Sequence, residues 1–131
     1  MRLKKVIETC LYSRDLDRAK AFYVDLLGVD IYGEEKGRHI FLKMPDGGMV
    51  LLFNPDETSK EGQDLPSHFA SGHQHLAFEV EKTEYPAWKA RVQRASTMVL
   101  HEHTWKNDVK SFYFRDPDGN LLEICEPGMW A

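Results

Sequence analysis

The sequence predicts an α+β fold in which two tandem β-α-β-β-β modules form a curved mixed sheet around a cavity. Three observations support this prediction. An alternating strand followed by a helical pattern occurs twice along the chain. The turn Pro45-Asp46-Gly47 recurs as Pro117-Asp118-Gly119, and each copy lies between two apolar runs. A polar stretch separates the two copies.

The first module is predicted over residues of about 4–55, the second over about 74–127, and a linker or lid loop over about 56–73. In the first module we expect strands at 6–12, 29–32, 39–44 and 49–53 and a helix over 16–27 that ends at Gly28. In the second we expect strands at 75–80 and 98–105, a helix over 83–94 and a hairpin over 111–125. The length of 131 residues suits one domain built from both modules.

Composition excludes several function classes. A net charge of −4, with no basic cluster beyond Lys4 and Lys5, disfavours a nucleic-acid surface. No apolar run approaches the roughly 20 residues of a membrane helix, and the charged N-terminal residues do not form a secretion signal. We therefore expect a cytoplasmic protein whose Cys10 and Cys125 are free, buried packing residues.

Two metal-capable residues lie at equivalent positions of the two modules. Glu8 and His75 each begin the apolar alternation of a first strand, and alternation turns both away from the face that packs under the helix. Glu123, in the last strand, faces the same way because its neighbours Leu122 and Ile124 are apolar. A carboxylate in a half-buried strand needs a compensating partner. The pattern predicts a metal site formed by Glu8, His75 and Glu123.

This donor set restricts the metal and the coordination. One imidazole and two carboxylates suit Mn²⁺, Fe²⁺, Co²⁺, Ni²⁺ or Zn²⁺ and leave positions open for water and substrate. The first-module residue that matches Glu123 is Leu51, with Val50 beside it. No fourth protein ligand is expected from that position.

The chain resembles the vicinal oxygen chelate superfamily, which includes glyoxalase I, bleomycin-resistance proteins, fosfomycin-resistance thiol transferases, methylmalonyl-CoA epimerases and extradiol dioxygenases. The resemblance rests on Glu8 and Leu11, residues 14–23 and 27–28, residues 75–78, and residues 112–120 through Glu123. The resemblance implies a divalent-metal enzyme in which Glu8, His75 and Glu123 occupy the three usual ligand positions of the family. It further implies glyoxalase-like lyase or isomerase chemistry on a small oxygen-chelating substrate, through an enediolate-like intermediate, with Glu8 or Glu123 as the catalytic base.

Three alternatives remain open within the resemblance. Extradiol dioxygenases use two histidines and one carboxylate with Fe(II), so Glu8 departs from their set. The segment from His103 to Phe114 is similar to the fosfomycin-resistance thiol transferases, in which the first ligand is histidine. A bleomycin-resistance-type protein would bind an aromatic ligand without chemistry. Chains of this size in the family form homodimers, so Glu8 of one chain could meet His75 and Glu123 of another.

The remaining candidates are residues that alternation places toward the cavity. His73 would replace His75 as a ligand only if the strand register shifted by two residues, and His39 and His68 are expected on the surface. Loops 54–74 and 106–110 should provide pocket walls. The predicted substrate-pocket residues are Tyr12, His101, His103, Tyr113 and Arg115.

Overall fold

The computed structural model describes residues 1–131 and divides them into two compact units, Met1–Ser71 and Gly72–Ala131. Each unit contains one four-stranded mixed sheet with few helices. The tandem β-α-β-β-β prediction is confirmed. The boundary between the units falls inside the predicted linker, most of which belongs to unit 1.

Unit 1 has the strand order β1-β4-β3-β2. The first strand runs parallel to the fourth, which requires a crossover, and the helical segment provides it. The other pairs are antiparallel. The core lies between this sheet and its helix and includes Leu11, Ala19, Tyr23, Leu42 and Leu52. The elements are β1 (Glu8–Tyr12), α1 (Leu16–Lys20), a π-helical segment (Ala21–Leu26), β2 (Asp30–Glu35), β3 (His39–Lys43), β4 (Met49–Phe53) and α2 (Pro55–Thr58).

The crossover helix of unit 1 differs from the expected single α-helix. Asp15 caps its start by accepting a hydrogen bond from the Arg18 backbone N–H, and the second half is π-helical. The buried residues Ala19, Tyr23 and Leu27 are spaced by four, a spacing that suits both α and π geometry. The apolar pattern therefore predicts the buried face and cannot distinguish the two helix types.

Unit 2 repeats the topology with the order β5-β8-β7-β6, again with a parallel first pair. Its core includes Val92, Phe112, Phe114, Leu122 and Ile124. The elements are β5 (His75–Glu79), α3 (Tyr85–Arg94), β6 (His101–Thr104), β7 (Lys110–Arg115) and β8 (Leu121–Cys125).

Several boundaries differ from the sequence-based prediction: β1 begins at Glu8 rather than at 6, β2 ends at Glu35 rather than at 32, and α3 begins at Tyr85 rather than at 83. Strand β6 begins at His101 rather than at 98, and the apolar side chains of Met98 and Leu100 are exposed, although the Leu100 N–H still donates to the Tyr113 carbonyl oxygen. Part of the predicted linker is ordered as helix α2, which Asn54 caps by accepting from the Asp56 backbone N–H. No helix has the length and apolar character that crossing a membrane would require.

Candidate metal centre

His75 and Glu123 lie close together on the open face of unit 2, which is the side of its sheet that does not pack against helix α3. In the parallel pair β5/β8, His75 lies opposite Leu121 and Ala77 lies opposite Glu123. The two side chains are therefore diagonal neighbours on one face, and His75 Nε2 lies 3.4 Å from Glu123 Oε2. The predicted pairing of these two residues is present in the structure.

The backbone orients the imidazole of His75. Its Nδ1 lies 2.8 Å from the Leu121 carbonyl oxygen, which can only accept, so Nδ1 carries the proton and donates. In the neutral ring, Nε2 is then left with a free lone pair directed toward Glu123. A backbone carbonyl that fixes the tautomer in this way is the usual support of a metal-binding histidine.

Glu123 is buried at a cost that no neighbour in the chain offsets completely. It is 3% exposed, and its Oε1 has no hydrogen-bond partner. Leaving a buried acceptor unsatisfied costs about 1–3 kcal/mol, and more when the group is charged. A carboxylate facing an imidazole lone pair needs a cation, either a proton on the ring or a metal between the two. The donor set and the unsatisfied oxygen fit a divalent metal ion.

Tyr113 is the next residue across the sheet, opposite Glu123 in the antiparallel pair β7/β8. Its ring stacks with His75 at 6.2 Å between centroids. Burial raises the pKa of the Tyr113 hydroxyl, and Glu123 acts in the same direction. Tyr113 therefore stays protonated at neutral pH and can donate a hydrogen bond at this site.

An imidazole row continues from Tyr113 along strand β6. His101 lies opposite Tyr113, with 6.2 Å between ring centroids, and His103 follows 6.0 Å from His101. The Trp105 ring packs edge-on against His103 at 4.6 Å. Both histidines are exposed, so the structure places them on the open face, beside the His75–Glu123 pair rather than under it.

Two other candidates are held by the turn of the last hairpin. Arg115 is exposed and donates from its guanidinium to the Gly119 carbonyl oxygen at 2.7 Å. His73 lies against the same turn, since a Cβ added at Gly119 would meet its Nε2 at 2.6 Å. Gly119 has φ +85°, so its missing side chain makes room for both the turn and His73. The register places His75, and not His73, beside Glu123.

The open face of unit 1 carries Glu8, Cys10 and Tyr12, which line a cavity of about 860 Å³. Leu51 lies opposite Cys10 in the pair β1/β4, just as Glu123 lies opposite Ala77 in unit 2. Leu51 lines the same cavity and offers no metal ligand. The predicted absence of a fourth ligand from that position agrees with the register.

Glu8 is exposed at the start of β1. Within one chain, no group of three or more His, Cys, Asp or Glu side chains could hold a metal ion. His75 and Glu123 thus form a pair inside unit 2. The assignment of Glu8 as the third ligand stays a prediction.

One histidine of unit 1, His39, contradicts the expectation of a surface position, whereas His68 is exposed as predicted but also lines a cavity. His39 has a side chain only 17% exposed, and its ring stacks on Phe41 at 4.0 Å. The ring of His68 lines the cavity, with Nδ1 2.8 Å from the Tyr12 hydroxyl. Alternation within β3 could have indicated His39, because it shares a face with Phe41. His68 lies in a segment without periodicity, so no sequence signal marked it.

The two cysteines are free, as predicted, but only Cys125 is buried, while Cys10 is half-buried. Burial raises the pKa of the Cys125 thiol to about 11, with Glu123 as the next contribution, and the thiol donates to the Glu126 carbonyl. Burial, followed by Glu8, also raises the pKa of Cys10. Neither thiol is activated as a nucleophile.

Comparison with known proteins places the chain among characterised sequences and folds. Residues 5–124 match the model of the Glyoxalase/Bleomycin resistance protein/Dioxygenase superfamily. The metallothiol transferase FosB of Staphylococcus saprophyticus is 30% identical over 112 residues, which cover 84% of this chain and 68% of that protein. The uncharacterized protein YwkD of Bacillus subtilis is 30% identical over 132 residues, covering 96% of this chain and 99% of YwkD.

Among solved structures, a lactoylglutathione lyase from Agrobacterium tumefaciens superposes with a TM-score of 0.93 at 36% sequence identity. The match covers 100% of this chain and 99% of that one. The family model spans most of the chain, and both YwkD and the lactoylglutathione lyase match it over nearly their whole length. The chain belongs to the Glyoxalase/Bleomycin resistance protein/Dioxygenase superfamily.

Proposed function

We propose that this protein is a divalent-metal-dependent enzyme that acts on a small substrate through the substrate's oxygen atoms. One observation carries the proposal. The carboxylate of Glu123 is buried with one oxygen unpartnered, and its other oxygen lies 3.4 Å from Nε2 of His75, whose ring is oriented by the contact between Nδ1 and the Leu121 carbonyl oxygen. Such a pair is costly without a cation and favourable with one.

Three residues would hold the metal: His75 through Nε2, Glu123 and Glu8. The ion would be Mn²⁺, Fe²⁺, Co²⁺, Ni²⁺ or Zn²⁺. A protein homodimer would let Glu8 of one chain complete the His75–Glu123 pair of the other, which accords with the lack of a three-residue group in a single chain. Since Leu51 supplies no ligand, coordination positions are left for substrate.

The proposed chemistry is of the lyase or isomerase type. When bound, the ion would act as a Lewis acid and polarise a carbonyl group of the substrate. Glu8 or Glu123 takes a proton from the adjacent carbon and returns it to the neighbouring carbon. Burial and Glu123 raise the pKa of Tyr113, so its hydroxyl stays protonated and can donate a hydrogen bond to a substrate oxygen. The lactoylglutathione lyase, similar at 36% identity over the whole chain, supports this reaction type.

A thiol transfer is the second candidate. It is favoured by the similarity to metallothiol transferase FosB over 84% of this chain. It would use the same metal pair, with the thiol supplied by a second substrate, because Cys10 and Cys125 both have raised pKa values. Ring cleavage with Fe(II) would also use this pair and would depend on oxygen.

Two assays on one protein preparation test these functions. Protein stripped by a chelator and reloaded with each metal is assayed for S-lactoylglutathione formation from glutathione and methylglyoxal, and for thiol consumption with fosfomycin. We expect metal-dependent turnover in the first assay, lost in Glu123→Gln and kept in Glu84→Gln, whose side chain caps nothing. Metal-dependent turnover in the second assay alone would identify the transferase. Turnover that is indifferent to metal in either assay would overturn the proposal.

A further inference from the structure

We propose that the cavity of unit 1 binds an acid carrying a single aromatic ring, and that His68, positioned by Tyr12, is the specificity-determining residue of this site. The proposal rests on the proposed function in one respect, since Glu8 lines the same cavity and is a proposed metal ligand. The ring-binding surface itself consists of other residues.

The connecting segment supplies a preformed wall of the cavity. The His68 backbone N–H donates to the carbonyl of Thr58, a residue only 2% exposed, at 2.9 Å. The His68 ring then lies 2.8 Å from the Tyr12 hydroxyl through Nδ1 and packs edge-on against Phe53 at 4.8 Å between centroids. Three contacts of different kinds therefore hold this histidine, so its position does not depend on a ligand.

The walls favour a flat ring. Phe41 and Phe53 meet edge to face at 5.7 Å, and Phe53 meets His68 in the same way. Edge-to-face and offset contacts with a further ring stabilise it by about 0.5–1.5 kcal/mol each beyond the apolar area buried. An aliphatic group of equal size gains the area alone. Aromatic ligands are thus preferred over aliphatic ones.

The size of the site limits the ligand to one ring. Next to the main cavity lies a smaller one of about 200 Å³. Phe41, Phe53, Leu65 and His68 line both. A cavity of about 150 Å³ accommodates benzene. The smaller cavity is therefore large enough for one ring, while the main cavity of about 860 Å³ accommodates the rest of the ligand.

The charges in the main cavity favour an acidic group. Lys43 lines it, 5.6 Å above the Tyr32 ring, and the positive charge attracts an anion. Tyr12 and His68 add a hydroxyl and an imidazole that hydrogen-bond oxygen atoms. Glu8 opposes an acid unless a metal ion lies against it. The ligand is accordingly an aromatic acid whose oxygen atoms lie toward Glu8 and Lys43.

Calorimetric titration with two acids that share a 2-oxo acid group tests the inference. Phenylpyruvate should bind about tenfold more tightly than 4-methyl-2-oxopentanoate. Phe53→Leu and His68→Gln should each lower this ratio to about threefold or less. Phe69→Leu is the matched control, because Phe69 is adjacent to His68 in sequence, is 64% exposed and lines neither cavity. The control should keep the tenfold ratio.

The positioning role of Tyr12 has its own readout. Tyr12→Phe should weaken phenylpyruvate binding by about the same factor as His68→Gln, and the double variant should lose no more than either single one, because the residues act as a pair. Additive losses would overturn that role. The inference would be overturned if the wild type bound phenylpyruvate less than threefold more tightly than 4-methyl-2-oxopentanoate, or bound neither acid. It would also be overturned if Phe53→Leu left this ratio unchanged, or if Phe69→Leu lowered it as much as Phe53→Leu does.

The two proposals fail separately. Glu123 lies in unit 2, so Glu123→Gln should lose metal and keep the ratio between the two acids. A protein that binds metal with no aromatic preference overturns this inference alone. A protein with the preference and without metal overturns the proposed function alone.

Discussion

Units 1 and 2 share a topology and a register but carry different chemistry on their open faces. Glu8 opposes Met49 in the first parallel pair and His75 opposes Leu121 in the second. Two residues further along each last strand, Leu51 in unit 1 is 7% exposed and Glu123 in unit 2 is 3% exposed. Equivalent, equally buried positions thus hold an apolar residue in one unit and a carboxylate in the other.

This difference distinguishes a residue that the sheet needs for packing from one that it does not. Leu51 fills its position with an apolar side chain, so the sheet itself does not need a carboxylate there. Glu123 costs stability in the chain alone, because its Oε1 is unpartnered. The unit with the carboxylate also carries Tyr113 beside it, where unit 1 has Phe41 opposite Leu51. At these matched positions unit 2 therefore carries a buried carboxylate beside a tyrosine, and unit 1 carries a leucine beside a phenylalanine.

Making unit 2 resemble unit 1 should produce the largest effect. Glu123→Leu should weaken divalent-metal binding more than about 100-fold, since it removes a ligand and not merely a supporting contact. Without metal, the same variant should be more stable than the wild type, with a free energy of unfolding about 1–3 kcal/mol larger, because an unsatisfied buried charge has been removed. Metal titration and urea unfolding in chelator measure the two effects. A variant that binds metal normally, or is less stable than the wild type without metal, would show that Glu123 has a structural role.

Alkaline pH should separate the two cysteines by their effect on stability. The pKa of Cys125 is raised to about 11, chiefly by burial, so the unfolded chain loses this proton first, from about pH 9 upward. The stabilisation is complete below pH 9 and is lost as the pH rises through 11. Between pH 8 and pH 11 the wild type should lose up to about 2 kcal/mol more than Cys125→Ala.

Cys10→Ala is the matched variant in unit 1. The Cys10 thiol is half-buried, and burial followed by Glu8 raises its pKa. Between pH 8 and pH 11, Cys10→Ala should therefore reduce the loss of unfolding free energy by less than Cys125→Ala does. Urea unfolding across this pH range measures both. An equal decrease of the unfolding free energy with pH in wild type and Cys125→Ala would show that the Cys125 thiol does not cause the loss.

Thiol labelling should also distinguish the two cysteines, and here Cys10 should give the larger signal. Cys10 lines the cavity of unit 1, while Cys125 is 4% exposed and donates to the Glu126 carbonyl. At pH 8 iodoacetamide should modify Cys10 about tenfold faster, since access and the thiolate fraction both favour it. Mass spectrometry of the digested protein measures the two rates. Phenylpyruvate should slow only the Cys10 reaction, and faster labelling of Cys125 than of Cys10 would contradict the burial of Cys125.

The topology and the proximity of His75 to Glu123 could be predicted from the sequence because both depend on periodicity. Alternation places His75 and Glu123 on one face, and the repeated Pro-Asp-Gly turn sets the register that makes them neighbours. Leu51 was identified as the counterpart of Glu123 for the same reason. These inferences need only the pleat of a strand and the position of a turn.

The features that were missed depend on non-periodic contacts. His68 reaches the cavity because its backbone bonds Thr58 and its ring meets Tyr12, and neither contact leaves a pattern in a polar segment. The apolar Met98 and Leu100 suggested a longer β6, although they are exposed. The π-helical segment shares its four-residue spacing with an α-helix. Tertiary contacts determined these details.

Metal content is the decisive measurement for the proposal that Glu8, His75 and Glu123 together bind one divalent metal ion. Wild type, Glu8→Gln, Glu123→Gln and the control Glu84→Gln are loaded with Zn²⁺ or Ni²⁺, dialysed and measured by elemental analysis. We expect about one ion per chain in wild type and Glu84→Gln, and less than about a tenth of that in the other two. Full metal content in Glu8→Gln, or none in wild type, would contradict the claim.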